Sequence, residues 1–228
     1  MNELNIFKKS DTDFNSSASN PGKMIGLRYI KPRISREIPE RCLKYKNAEN
    51  LAAELAPEKG MRVFIMLDGT FIAGDFIEAF ICKHNLHVKR LTISTLSLSE
   101  NNVDSLRNLI EGNYVDQLDL VVSDYFFSHE RHNLVKYMYQ ELDIKSSFQL
   151  AACASHCKLT LIESHCGLKI VIHGSANLRS SSNLEHICVE ENHELYDFNI
   201  VIQEAIIEKY FTIKKSVRRA ELWQVVQK

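Results

Sequence analysis

Apolar positions follow two rhythms along this chain, and the switches between them outline its elements. Alternating or continuous β-branched runs predict strands over 61–67, 87–93, 118–122, 148–153, 157–163, 168–172 and 185–189. A three-to-four residue spacing predicts helices between them. One runs over 74–85 with Phe76, Ile77, Phe80 and Ile81 on one face. Others start at Ser99 and run to about 112, start at Ser128 and run to about 142, and start at Asn192 and run to about 211. Before residue 61 the pattern is weaker, with a short strand over 26–30 and a helix over 47–56 between Asn47 and Pro57. Alternating strands and helices predict an α/β fold: a mixed, mostly parallel sheet flanked by helices on both faces, antiparallel near a hairpin around residue 165.

These elements divide the chain into four parts. Residues 1–23 are polar, rich in Ser, Asn and Asp, close with Asn20-Pro21-Gly22, and read as a flexible N-terminal arm. An N-terminal extension follows over 24–60, then a domain over 61–211 and a basic tail over 212–228. No internal repeat is visible.

Composition narrows the class. A chain of 228 residues, 45% apolar and 25% charged, supports one ordinary globular domain with modest extensions. No apolar run approaches the eighteen or so residues of a membrane span, and the first residues lack a signal peptide's basic and apolar regions, so a cytoplasmic protein without membrane contact is expected. Six irregularly spaced cysteines suit reduced thiols better than a disulfide framework. The net charge of −1 does not mark a nucleic-acid binder, yet Lys31, Arg33 and Arg36 near the start and Lys214, Lys215, Arg218 and Arg219 near the end are basic groups. Solvated surface is the ordinary reading of such groups; a local phosphate-tracking patch is the other.

Candidate chemistry concentrates after residue 150. In His156-Cys157-Lys158 the two polar side chains are two apart, so on a strand they share a face. The run 168–172 ends in Gly174-Ser175-Ala176-Asn177, a turn able to bring Ser175 and Asn177 to the same place. A nucleophilic imidazole, a fixed cation and two neutral donors around one point suit a phosphoryl group. Glu185 would orient the His156 ring by accepting from its other nitrogen, and Glu163 would neutralise or position Lys158. Each residue has a plainer reading as a structural histidine, a snorkelling lysine, a turn residue or a solvated carboxylate.

The order H-x-K-x(4)-[D/E], G-S-x-N, N-x-E, carried by His156, Lys158, Glu163, Gly174, Ser175, Asn177, Asn183 and Glu185, resembles the phospholipase D superfamily of phosphodiesterases. Two departures stand out: Glu163 stands for the usual aspartate, and ten residues separate it from Gly174, consistent with a longer hairpin tip at Ser164-His165-Cys166-Gly167. The resemblance implies a phospholipase D-like fold and a phosphohistidine intermediate on His156. Lys158, Ser175 and Asn177 would then act as donors to the phosphate, with no cofactor and no metal. Because one motif supplies one histidine, it also implies a homodimer through the active-site face, in which the partner's imidazole protonates the leaving oxygen.

Other segments carry less. His87-Val88-Lys89 repeats the H-x-K spacing without the rest of the motif and reads as coincidence. Cys153, His156, Cys157, His165, Cys166 and His173 cluster in sequence but lack metal-ligand spacing. Asp68-Gly69-Thr70 reads as a loop on the site's rim, and Tyr125, Phe126 and Phe127 as packing residues or a stacking surface for bases. The expected function is a metal-independent phosphodiesterase, foremost an endonuclease acting on DNA or RNA. A catalytically idle nucleic-acid-binding module and a phospholipid phosphodiesterase are the alternatives.

Overall fold

The computed structural model describes residues 48–68, 71–144, 147–179 and 183–212, together with the backbone of 29–34. Eight strands form one sheet: β1 (Tyr29–Ile34), β2 (Arg62–Leu67), β3 (Val88–Thr95), β4 (Val115–Ser123), β5 (Phe148–Cys153), β6 (Leu159–Ser164), β7 (Lys169–Gly174) and β8 (Glu185–Glu191). Their order across the sheet is β1-β2-β8-β7-β6-β3-β4-β5. Among the described residues six helices accompany them: α1 (Ala48–Glu54), α2 (Ala73–Lys83), α3 (Glu100–Glu111), α4 (Asp124–His129), α5 (Leu134–Leu142) and α6 (His193–Tyr210).

The α/β class and the helices on both faces agree with the sequence pattern, but the mostly parallel sheet does not. Only β3-β4 and β4-β5 pair parallel. The other five pairings, from β1-β2 through β6-β3, are antiparallel. The physical reason lies in the connections. Only β3-α3-β4 and the β4–β5 link carry a helical crossover between neighbours; β6 and β7 are joined by a tight hairpin, and β8 enters between β2 and β7.

One face of the sheet is covered by α1, α2, α3 and α5, which pack on one another and bury Phe76, Ile77, Phe80, Ile81, Leu106, Ile110 and Met138 against Val63, Ile65, Ile93, Ile162, Ile172 and Val189. This is the core, and the stripe predicted for α2 is wholly within it. The other face is covered by α6, which sets Tyr196 against Leu161 and Val171, and Ile206 and Ile207 beside Val121, Ala151 and Cys153. α6 does not cover β2: Phe64 and Met66 on that face are 44% and 38% exposed.

Capping follows the sequence at two helices and departs from it at a third. The Ser99 amide donates to Asn102 Oδ1 (3.0 Å) at the start of α3, and Asn192 Oδ1 accepts from the Leu195 amide (3.1 Å) at the start of α6. The helix expected over 128–142 is instead two helices. Ser123 caps α4 by accepting from the Phe126 amide (3.1 Å), whereas Ser128 lies inside it and donates back to the Asp124 carbonyl (2.6 Å). A buried ion pair joins β3 to β4, with Arg90 Nε donating to Asp119 Oδ2 at 2.6 Å. Burial disfavours the Arg90 charge, but Asp119 and Glu204 outweigh it and raise its pKa.

Of the four parts read from sequence, the arm over 1–23 and nearly all of the tail lie outside the described residues. So do the side chains of Lys31, Arg33, Arg36, Lys214, Lys215, Arg218 and Arg219. Among the described residues, no helix is long and apolar enough to cross a membrane.

Candidate active site

Strand register brings the motif segments to one edge of the sheet. Leu67, which ends β2, faces Glu185, which begins β8. Leu159, which begins β6, faces Ser94 near the end of β3 on one side and His173 near the end of β7 on the other. Ser123 and Cys153, which end β4 and β5, face each other. The segments around residues 68, 95, 124, 156, 175 and 185 therefore share this edge.

His156 and Lys158 are not on the strand predicted over 157–163. β6 begins at Leu159, because the ladders on both its sides stop there, and 155–158 has no regular structure. His156 is exposed, and its ring has no hydrogen-bond partner among the described residues. Lys158 is half-buried; its ammonium donates to the His156 carbonyl oxygen at 3.2 Å. It lines a cleft with Thr95, Thr160, Gly174 and Ala176. That cleft is small, about 30 Å³, and opens at the sheet edge.

Asn177 is positioned by the end of β3. Its Oδ1 accepts from the Leu96 amide (3.2 Å) and lies 3.4 Å from Thr95 Oγ1. A backbone N–H can only donate, so the bond fixes which amide atom is the oxygen and leaves Nδ2 to donate elsewhere. The following residue is fixed too: the Leu178 carbonyl accepts from the Gly74 amide (2.9 Å) at the start of α2.

Gly174 and Ser175 are held by β8. A Cβ on Gly174 would lie 2.1 Å from the His186 carbonyl oxygen, so only glycine fits where the strands approach. The Ser175 hydroxyl accepts from the His186 amide (3.0 Å) and donates to Glu185 Oε2. Ser175 and Glu185 thus form a linked pair at the same edge.

Glu163 is not brought to this site. It sits near the other end of β6, four residues beyond Leu159 and so about 13 Å along the strand, on the face covered by α6. There its carboxylate lies 3.6 Å from the Lys89 ammonium. The expectation that it positions Lys158 is corrected by its place along β6 and by its ion pair with Lys89 instead. The stray H-x-K has structural partners of its own: Lys89 pairs with Glu163, and His87 stacks on Tyr114 with centroids 6.1 Å apart.

Sequence reasoning missed Thr95 and Leu96, which orient Asn177. The one available signal was the polar Ser94-Thr95 pair closing an apolar run, at the end where α/β sheets place their sites. The aromatic segment after β4 divides: Phe126 is core, whereas Tyr125 is 69% exposed at the site's edge, its ring 3.8 Å from that of His129. The six-residue His/Cys cluster also divides. His165 binds Asp116 (2.7 Å) at the hairpin tip, where Gly167 has a φ of +90°, far from His156. His173 instead meets Cys188 and Glu190. Burial pushes the Cys188 thiol up to about 11, with Glu190 adding to the shift.

No protein-family model and no curated protein matches the chain. Solved structures similar to it include a phospholipase D family member, Nuc from Salmonella typhimurium, with 15% identity, a TM-score of 0.40, and 52% of this chain and 77% of that one covered. NucT from Helicobacter pylori is similar at 14% identity and a TM-score of 0.40, over 53% of this chain and 79% of that one. The phosphatidylserine synthase of Haemophilus influenzae is similar at 12% identity and a TM-score of 0.47, over 74% of this chain and 42% of that one.

Proposed function

We propose that this chain is a metal-independent phosphodiesterase of the phospholipase D type, an endonuclease acting on DNA or RNA as a homodimer. The supporting observation is the fixed amide of Asn177, held by Leu96 on the edge where Lys158 lines the cleft and His156 stands exposed. In this reading a ring nitrogen of His156 bonds phosphorus as the bond to the leaving oxygen breaks. The His156 imidazole of the second copy supplies the proton that oxygen takes up, then accepts one from the water that hydrolyses the phosphohistidine. Lys158 and Asn177 Nδ2 donate to the non-bridging oxygens, where charge grows in the transition state. Ser175 holds Glu185 at this edge, and in this reading that carboxylate accepts from the His156 ring once substrate is bound. The shallow cleft favours a long substrate lying over the edge, as a nucleic-acid strand would, with exposed Tyr125 available for stacking on a base.

The test incubates the purified protein with labelled single- and double-stranded DNA and RNA in excess EDTA, beside His156→Ala. Cleavage by the unsubstituted chain alone supports the proposal. Retardation without cleavage assigns an idle binding module, and turnover of phosphatidylcholine instead assigns a lipid phosphodiesterase. A solution mass equal to one chain under cleaving conditions would overturn the shared-histidine step.

A further inference from the structure

The sheet face that α6 leaves open carries a cross-strand cluster of residues outside the motif, next to Gly174. His173 on β7 and Cys188 on β8 are directly opposite in register, and Glu190 lies two residues on, hence on the same face. A ring nitrogen of His173, Sγ of Cys188 and an oxygen of Glu190 all lie within 4.8 Å of one another. We propose that these three side chains bind one divalent transition-metal ion, with zinc the natural occupant.

Ligand chemistry sets the class of ion. A thiolate, an imidazole and a carboxylate suit zinc or cobalt; calcium and magnesium prefer all-oxygen shells. Geometry agrees. His173 Nε2 and Glu190 Oε1 are 3.0 Å apart, close to the roughly 3.3 Å between two atoms that each lie about 2.0 Å from one tetrahedral ion. The present hydrogen bond thus holds these two atoms at a separation that one ion could bridge.

The surroundings are those of a supported ligand set. Arg62 Nε (2.9 Å), Arg62 Nη2 (2.7 Å) and Asn192 Nδ2 (3.2 Å) all bond Glu190 Oε2, fixing the carboxylate with Oε1 towards His173. Arg62 thus sits on the oxygen away from the ion. Once the ion displaces the Cys188 proton, thiolate and carboxylate carry two negative charges, one of them offset by the Arg62 guanidinium, so the site keeps a net attraction for a dication. Cys188 and Glu190 are buried while the His173 side chain is 42% exposed, which provides an entry path and room for a solvent molecule as fourth ligand. An ion here would fasten β7 to β8 one residue before Gly174, steadying the Ser175–Glu185 pair without touching phosphate.

The experiment strips the full chain with EDTA, dialyses the chelator away and titrates in Co²⁺, reading absorption. One equivalent per chain is expected, with near-ultraviolet thiolate-to-cobalt charge transfer and visible tetrahedral bands. Both should disappear in Cys188→Ser and weaken in His173→Gln, and both should persist in Cys157→Ser, Cys166→Ser and His156→Ala. Zinc should raise the melting temperature of the unsubstituted chain and leave that of Cys188→Ser unchanged. Absence of stoichiometric cobalt binding by the unsubstituted chain overturns the site, as do charge-transfer bands that survive in Cys188→Ser. Far-ultraviolet circular dichroism confirms that each variant scored is folded.

Discussion

The side-chain oxygen of Asn177 accepts a hydrogen bond from the backbone amide of Leu96 across 3.2 Å, joining the turn after β7 to the end of β3. The two residues are far apart in sequence, and the bond decides which way the carboxamide points. Asn177→Asp keeps an acceptor for Leu96 but replaces the outward donor with a negatively charged oxygen. Under the proposed mechanism the variant folds normally and loses about 10²-fold or more in cleavage rate. Rates measured beside thermal melts check this; a folded variant with full activity would remove Asn177 from the phosphate site.

Gly174 stands where β7 lies close to β8, with the His186 carbonyl oxygen 2.1 Å from where a Cβ would be. The obstacle is backbone, which cannot swing aside. Gly174→Ala should cost about 2 kcal/mol or more of stability through forced strand separation, and should disturb the Ser175–Glu185 pair beside it. Urea unfolding of the two proteins gives the difference.

Glu163 provides a test in the opposite direction. Its partner is Lys89 rather than Lys158, at an ion pair whose members are 32% and 46% exposed. Glu163→Gln should leave the cleavage rate unchanged and alter stability by less than about 1 kcal/mol. A large loss of activity in a folded variant would show that the acid acts at the site after all.

Glu190 sets a pH dependence. Burial opposes its ionisation, but hydrogen bonds from Arg62, His173 and Asn192 and the Arg62 charge outweigh that and hold its carboxyl below the usual carboxylate range. As pH falls, the unfolded chain takes up this proton first, at about pH 4.3. The stability that Glu190 contributes is therefore full above that value and is lost as pH drops through the lower folded-state pKa. Glu190→Gln should be less stable at neutral pH by about 1–2 kcal/mol, discounted because Arg62 is half-exposed. Its stability should also decline less on acidification, as chemical unfolding across the acid range would show.

Much was legible in the chain because local rules governed it. The apolar stripe of α2 and the caps Ser99 and Asn192 depend on near neighbours, and they stand where the pattern put them. The break between α4 and α5 was not legible, since Ser128 reads as a cap until its hydroxyl is seen bonding back to the Asp124 carbonyl.

The sequence by itself determined the α/β class, the core stripes and the motif residues, because periodicity and residue chemistry are properties of short stretches. Only the tertiary structure decided strand direction, the start of β6 at Leu159, the removal of Glu163 from the site, the orientation of Asn177 and the meeting of His173 with Cys188 and Glu190. Each of these depends on register between strands distant in sequence, and register is set by the packing of the whole sheet.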